Sequence, residues 1–261
     1  MHDSPETIRM LRARIADVER ARARDAPVVV PMGHDAVDAA IGGGIMRARL
    51  HEIFAETIDD GGSAAGFAAM LGMQLARPGA TIFWLRERAA EARGGCLHAP
   101  GLAELGIDPG RVILGVMDDA LGLLRVAAEV VRCPDIDVAV IELWKNPRVL
   151  DLTASRRLAV AAEASGVTVL MLRADAEPGP SAAQTRWSVA SAAAVPLEAE
   201  APGYPTLSVR LLRQRGGSAD RQWEMEWDRD QGIFREAALS RAVVPLSGGG
   251  SLATDGQSRT G

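Results

Sequence analysis

Apolar positions along the chain alternate between short continuous runs and longer stretches at helical spacing. Residues 4–24 put Ile8, Leu11, Ile15 and Val18 on one helical face, with Ser4 and Pro5 supplying an N-cap and a first-turn proline, and with arginines on the other faces. Val28-Val29-Val30-Pro31 reads as an extended segment, residues 33–41 as a short helix and Gly42-Gly43-Gly44 as a turn. A strand over 50–54 then leads through a tight loop into a helix ending near Leu75. Further strands are expected over 81–85, 111–116, 137–143 and 167–172, with helices over 99–105, 118–133 and 152–165. The helix over 118–133 is expected to turn Leu121, Leu124, Ala128 and Val131 inward. Strands that are apolar throughout are buried on both faces, and their alternation with helices implies a parallel sheet with right-handed crossovers.

After a Pro/Gly loop over 175–183 the pattern changes. Thr185-Arg186-Trp187 opens a segment leading to 190–197, and residues 206–212 and 222–227 flank Arg215-Gly216-Gly217-Ser218, a hairpin signal. Residues 247–261 are rich in Gly, Ser and Thr and are expected to be disordered. The chain thus divides into an N-terminal helix and linker (1–27), a core domain (28–240) and a tail (241–261). The fold class is α/β, with a mostly parallel central sheet flanked by helices, an N-terminal helix and a C-terminal antiparallel hairpin.

With 261 residues, 48% of them apolar, the chain can bury a core without staples. A net charge of -5 argues against a protein that coats nucleic acid, leaving DNA contact local or borrowed. Cys96 and Cys133 form neither a metal spacing nor a disulfide framework. No apolar run has the length of a signal core or a membrane span, so a cytoplasmic, reduced protein without membrane contact is expected. There is no Gly-x-Ser-x-Gly, no His-Glu-x-x-His and no suggestive Ser/His/Asp grouping.

The informative stretch is the loop after the strand over 50–54. Strand, tight loop and helix is the arrangement that offers amides and a helix N-terminus to phosphates, with a lysine reaching the terminal ones. Here Ala55 stands for the first glycine, and Gly61-Gly62-Ser63 falls one residue late where Gly-Lys-Ser belongs. The lysine is a glycine, and the chain's single lysine, Lys145, is far away in sequence. Asp59 and Asp60 add like charge where phosphates would sit, so a triphosphate is unwelcome and no cofactor is expected. A Gly-rich turn that simply opens a helix is the other reading of the same residues.

Taken in order, several motifs resemble the RecA-like superfamily and, within it, the ImuA proteins, RecA-related accessories of damage-induced mutagenesis also described as SulA-related. They are Pro31-Met32-Gly33, Asp38-Ala39-Ala40-Ile41-Gly42-Gly43-Gly44, Leu50-His51-Glu52-Ile53-Phe54, the strand ending near Glu142, and Arg156-Arg157-Leu158. Gln184-Thr185-Arg186-Trp187-Ser188-Val189-Ala190-Ser191, Arg213-Gln214-Arg215-Gly216-Gly217 and Trp223-Glu224-Met225-Glu226-Trp227-Asp228 complete the set. The resemblance implies a RecA-like core. It places a water-activating glutamate at Glu87 and a magnesium-side carboxylate at Glu142, both without catalytic meaning once the lysine and first glycine are gone. Each also reads simply as a strand-end cap.

DNA-contacting loops of recombinases correspond to residues 144–151, with Lys145 and Arg148, and 173–183, which carries Asp175 and Glu177. Lys145, Arg148, Arg156, Arg157 and Arg186 are the candidate DNA or partner contacts, and so few convergent cations imply weak or indirect DNA binding. The implied partners are an ImuB-like polymerase homologue of the Y family, an error-prone replicative-type polymerase, and RecA itself. The resemblance therefore implies a non-catalytic adaptor, a pseudo-ATPase, in SOS-induced translesion synthesis. The alternatives are a divergent RecA-like ATPase acting on DNA or on RecA, and a SulA-like cell-division regulator.

Overall fold

The structure, a computed structural model, describes residues 28–197, 199 and 201–237. The helix expected over 4–24 and the tail expected over 241–261 lie outside them. Short strands β1 (Val29–Val30) and β2 (Ile45–Met46) pair antiparallel around helix α1 (Asp35–Ile41). The main sheet has nine strands: β3 (Leu50–Ala55), β4 (Thr81–Glu87), β5 (Val112–Met117), β6 (Ile136–Trp144), β7 (Thr168–Ala174), β8 (Thr185–Ser191), β9 (Thr206–Gln214), β10 (Arg221–Asp228) and β11 (Ile233–Glu236). Their spatial order is β11-β10-β9-β8-β3-β7-β6-β4-β5. From β8 to β5 every pairing is parallel, and from β8 to β11 every pairing is antiparallel.

Helix α2 (Gly61–Leu75) lies against the middle of the sheet. Its sequence, rich in alanine and free of β-branched residues, suits a helix, and extended backbone at Ala76 followed by Pro78 ends it. Ala64, Phe67, Ala68, Met70, Leu71 and Leu75 are buried against Ile53, Val140, Leu170, Leu172 and Trp187. Burial of each large apolar side chain here is worth roughly 1.5–3 kcal/mol. Phe67, Phe234 and Trp227 continue the layer, with ring centroids 5.3 and 4.9 Å apart. On the opposite face α5 (Ala120–Val130) and α6 (Leu152–Ser165) cover Ala139, Ile141, Leu143, Val169 and Met171. Short helices α3 (Arg88–Gly94) and α4 (Ala99–Glu104) follow β4.

The expected mostly parallel sheet and C-terminal hairpin are present, and α6 has the expected bounds. Four details differ. Helix α3 occupies a stretch for which no element was expected, because seven residues are too short for periodicity to stand out. Strand β11 was missed since Ile233–Glu236 has only two apolar residues. Segment 190–197 is strand only to Ser191. Helix α5 turns Ala120, Leu123, Ala127 and Val130 inward and leaves Leu121 exposed, while Val131 is buried and Leu124 packs against the core as expected. Leu121 shares the exposed face with Arg125 and Glu129, four and eight residues on; the Asp119 carboxylate, accepting from the Gly122 amide at 2.7 Å, sets the helix start.

The Pro31-Met32-Gly33 motif is explained by packing. The Asp38 carboxylate accepts the amides of Met32 and Gly33 at 2.8 and 3.0 Å, and the Met32 carbonyl accepts from Phe234 at 2.9 Å, tying the entry segment to β11. Gly33 has φ +99°, and a Cβ there would lie 2.6 Å from the Phe234 carbonyl oxygen, so glycine is required. Among the described residues no helix is long and apolar enough to cross a membrane.

His51 is fully buried in β3 between the Thr185 hydroxyl, 2.7 Å from Nδ1, and the Met46 carbonyl, 2.8 Å from Nε2. Trp187 Nε1 donates to the same Thr185 oxygen at 2.7 Å, so Thr185 donates to Nδ1 and the neutral ring donates from Nε2. Burial lowers the His51 pKa to about 4 from 6.5. The unfolded chain therefore takes up the proton first, and stability is full above the unfolded value and lost as pH falls from there through the folded one. Urea unfolding should show roughly 2 kcal/mol less stability near pH 5 than near pH 7, and His51→Gln should flatten that slope. An unchanged slope in the variant would assign the pH dependence to other groups.

Candidate functional site

The site is built where β3 passes into α2. Ala55 ends β3 almost fully buried, and a short 3-10 turn over Ile58–Asp60 precedes Gly61, Gly62 and Ser63 in the first turn of α2. Asp60 has turned its side chain back into the loop. One carboxylate oxygen accepts the Thr57 amide at 3.2 Å and the Thr57 hydroxyl at 2.6 Å; the other accepts the Ser191 amide at 2.9 Å and its hydroxyl at 3.2 Å. The Thr57 hydroxyl and then the Ser191 amide hold the Asp60 carboxyl below its ordinary pKa. The loop is thereby bolted to the end of β8 by an anion of its own. A phosphate oxygen brought within about 4 Å of that carboxylate would be repelled by roughly 4 kcal/mol at a surface-like dielectric.

The outer mouth of the loop, a hollow of about 630 Å³ beside Ala55, Glu56 and Thr57, is acidic. Glu56, Asp175 and Glu177 line it, and Lys145 stands 3.7 Å from Asp175. Lys145 therefore faces a carboxylate across the mouth, in backbone with φ +58°.

On the α2 side a cleft of about 670 Å³ runs between Gly61, Gly62 and Ser63 and the segment carrying α3 and α4. Glu142 lies at its floor. In the parallel register Glu142 of β6 is the direct partner of Arg86 of β4, and the Arg86 guanidinium donates to Glu142 at 2.8 Å with both groups buried. Trp84, two residues before Arg86 on the same face, donates its indole N–H to the other Glu142 oxygen at 2.9 Å. Both oxygens of the carboxylate in the magnesium-side position are thus committed to protein donors. Glu87 ends β4 and accepts the Trp144 amide at 3.2 Å, joining two strand ends. Among the described residues no group of three or more His, Cys, Asp or Glu is placed to hold a metal ion.

The basic candidates do not converge. Arg148 is exposed in the loop after β6, while Arg156 and Arg157 are exposed on α6 beside a groove of about 640 Å³ and the exposed Val160. Arg186 was expected among surface contacts and is instead buried. It donates to Glu52 at 2.8 Å and to the Gly179 carbonyl at 2.7 Å, because Arg186 and Glu52 are direct partners on β8 and β3. Arg173 joins the group 3.8 Å from Glu52, and both guanidiniums lie over the Phe54 ring at 5.5 and 5.8 Å. Burial lowers the Arg173 pKa. Sequence reading passed over Arg86, Arg173 and the partners of Glu52. For Arg86 the signal was a charge two residues from Trp84 in an otherwise apolar strand, which gains meaning only once strand order sets Arg86 opposite Glu142.

No protein-family model and no curated protein sequence matches this chain. Among solved structures it is similar to the crystal structure of the RadB recombinase, with a TM-score of 0.53 and 13% identity, over 80% of this chain and 100% of that one. Together with the strand order, that likeness defines the fold as RecA-like, an α/β core with a large, mostly parallel sheet and a C-terminal antiparallel extension.

Breaking the buried pair has a specific signature. Arg86→Met should cost about 3–5 kcal/mol by leaving Glu142 uncompensated, and adding Glu142→Gln, which keeps an acceptor for Trp84, should return at least about 2 kcal/mol of it. Chemical unfolding of the two singles and the double measures the coupling. Additive effects would mean that Glu142 is not held by Arg86.

Proposed function

We propose that the chain is a non-catalytic RecA-like accessory protein that recognises partners instead of turning over nucleotide. One observation carries this reading: at the position where a RecA-like ATPase presents a lysine to phosphates, this chain has Gly62, and its loop is closed by Asp60. Phosphoryl transfer leans on positioned cations to neutralise developing charge. Here Arg86 is spent on Glu142, and Lys145 faces Asp175. A framework kept intact around such a loop suits a rigid platform.

The motifs that resemble ImuA, from Pro31-Met32-Gly33 to Trp223–Asp228, support the finer role of adaptor in SOS-induced translesion synthesis. Its partners are then an ImuB-like polymerase homologue and an error-prone replicative-type polymerase, with RecA as a further contact. The dispersed arginines support DNA contact that is weak or indirect. The divergent-ATPase reading retains Glu87, which has one engaged oxygen.

Two measurements test the proposal. Tagged full-length chain, recovered from DNA-damaged cells, should bring down a polymerase or polymerase homologue; recovery of neither polymerase nor RecA would contradict the adaptor role. Purified chain with magnesium and ATP, with or without single-stranded DNA, should show no turnover above buffer. Turnover abolished by Glu87→Gln would establish the enzyme reading instead.

A further inference from the structure

Helix α6 carries on its outer face a ridge that packing of the fold leaves without a use. Leu152, Arg156, Val160 and Ala164 recur at every fourth residue, and all four are exposed. Val160, at 60%, is the most exposed large apolar side chain among the described residues, and Leu152 is 40% exposed. On one side of the ridge lies the groove of about 640 Å³, lined by Arg157, Ala161 and Ala164 and closed off by Arg132. On the other lies a hollow of about 390 Å³, where Arg156 is joined by Arg213 near the end of β9 and by Arg215 just beyond it.

The charge around this ridge is one-sided. Arg156, Arg157, Arg213 and Arg215 are exposed and have no ion-pair partner among the described residues. The other charged residues lining the two hollows, Arg132 and Glu163, are already paired, with Glu129 at 2.8 Å and with Arg49 at 3.6 Å. Four uncompensated guanidiniums therefore border an apolar ridge in a chain whose net charge is -5. All four are open to solvent, so a partner can reach them without desolvating a buried group.

We propose that this face of α6 is a docking surface for an acidic amphipathic helix presented by a partner protein. The apolar stripe of that helix packs on Leu152 and Val160, and the small side chains of Ala161 and Ala164 permit close approach. Carboxylates on its two flanks meet Arg157 on one side and Arg213 and Arg215 on the other. From Leu152 to Ala164 the ridge is about 18 Å long at 1.5 Å per residue, which accommodates roughly three helical turns. Charge complementarity selects an acidic occupant, and the apolar ridge separates it from nucleic acid. Neither hollow is lined by an aromatic side chain among the described residues, so bases have no stacking platform there. The surface deepens the adaptor reading by giving it a place for a partner, and rests on that reading for the partner's identity.

Helical peptides of about sixteen residues with one face randomised, displayed on phage and selected on the full-length chain, should converge on a stripe of Leu, Ile or Met flanked on both sides by Asp or Glu. The synthetic consensus should lose at least about tenfold in affinity against Arg156→Glu/Arg157→Glu, against Arg213→Glu/Arg215→Glu and against Val160→Gln. The substituted positions are all exposed, so urea unfolding of the variants should match the wild type. No enrichment, a consensus without acidic residues, or affinity unchanged in any of the three variants would each overturn the proposal. Oligothymidylate that binds the wild type, is lost in the arginine variants and is indifferent to Val160→Gln would assign the face to nucleic acid. Self-association lost in the same variants would assign it to a second copy, and either result would overturn the proposal. Capture of the polymerase-type partner from damaged cells by Arg156→Glu/Arg157→Glu at the wild-type level would also overturn it while leaving the adaptor role standing. A chain that selects the acidic consensus yet recovers no such partner would keep the surface and remove the adaptor role.

Discussion

A carboxylate at the end of a central strand must be neutralised, and the choice of neutraliser decides what the strand end can do. Glu142 is neutralised by Arg86, its direct neighbour across β6 and β4, and by the Trp84 indole. Both donors belong to the protein, and Arg86 also donates to the Gly95 carbonyl just after α3. A pair of this kind adds little net stability over apolar residues of similar size, but removing either half is expensive. It therefore fixes the registry of the strand ends and gives each Glu142 oxygen a protein donor. Asp60 follows the same principle one loop away, answering the Thr57 and Ser191 donors with a side chain where phosphate loops use an external anion.

The remainder of the molecule is compatible with that internal closure. Helix α2 packs small residues closely on the sheet, and a Cβ built on Gly61 or Gly62 meets nothing within 4 Å. The second charged cluster, Glu52 with Arg173 and Arg186 over Phe54, likewise joins three strands through their own side chains. Buried charges in this sheet act as struts between neighbouring strands. What stays open to solvent is a cleft with mostly apolar walls and scattered surface arginines, which suits recognition.

Much of the sheet was legible in the sequence because Val138–Ile141 of β6 and Val169–Leu172 of β7 are continuous apolar runs, as in the strands of a doubly covered parallel sheet. The missing lysine could be read at Gly62 without any structure. The face of α5 was read only in part, since Leu121 is apolar yet lies on the exposed side with Arg125 and Glu129, and Arg186 could not be read, because its burial depends on Glu52 lying across from it, 134 positions away in sequence. The role of Asp60 was half visible: the sequence marked it as a charge hostile to phosphate, and the fold adds that it is also the bolt of the loop. Pairings between strands distant in sequence decide which charges are struts, and strand order is set by tertiary packing.

The most direct test is calorimetric titration of magnesium-ATP into the full-length chain at low salt. The account predicts no saturable heat at nucleotide concentrations that fill a working phosphate loop. Saturable one-to-one binding that Ser63→Ala weakens would contradict it, because such binding needs an open loop that Asp60 and Arg86 do not leave.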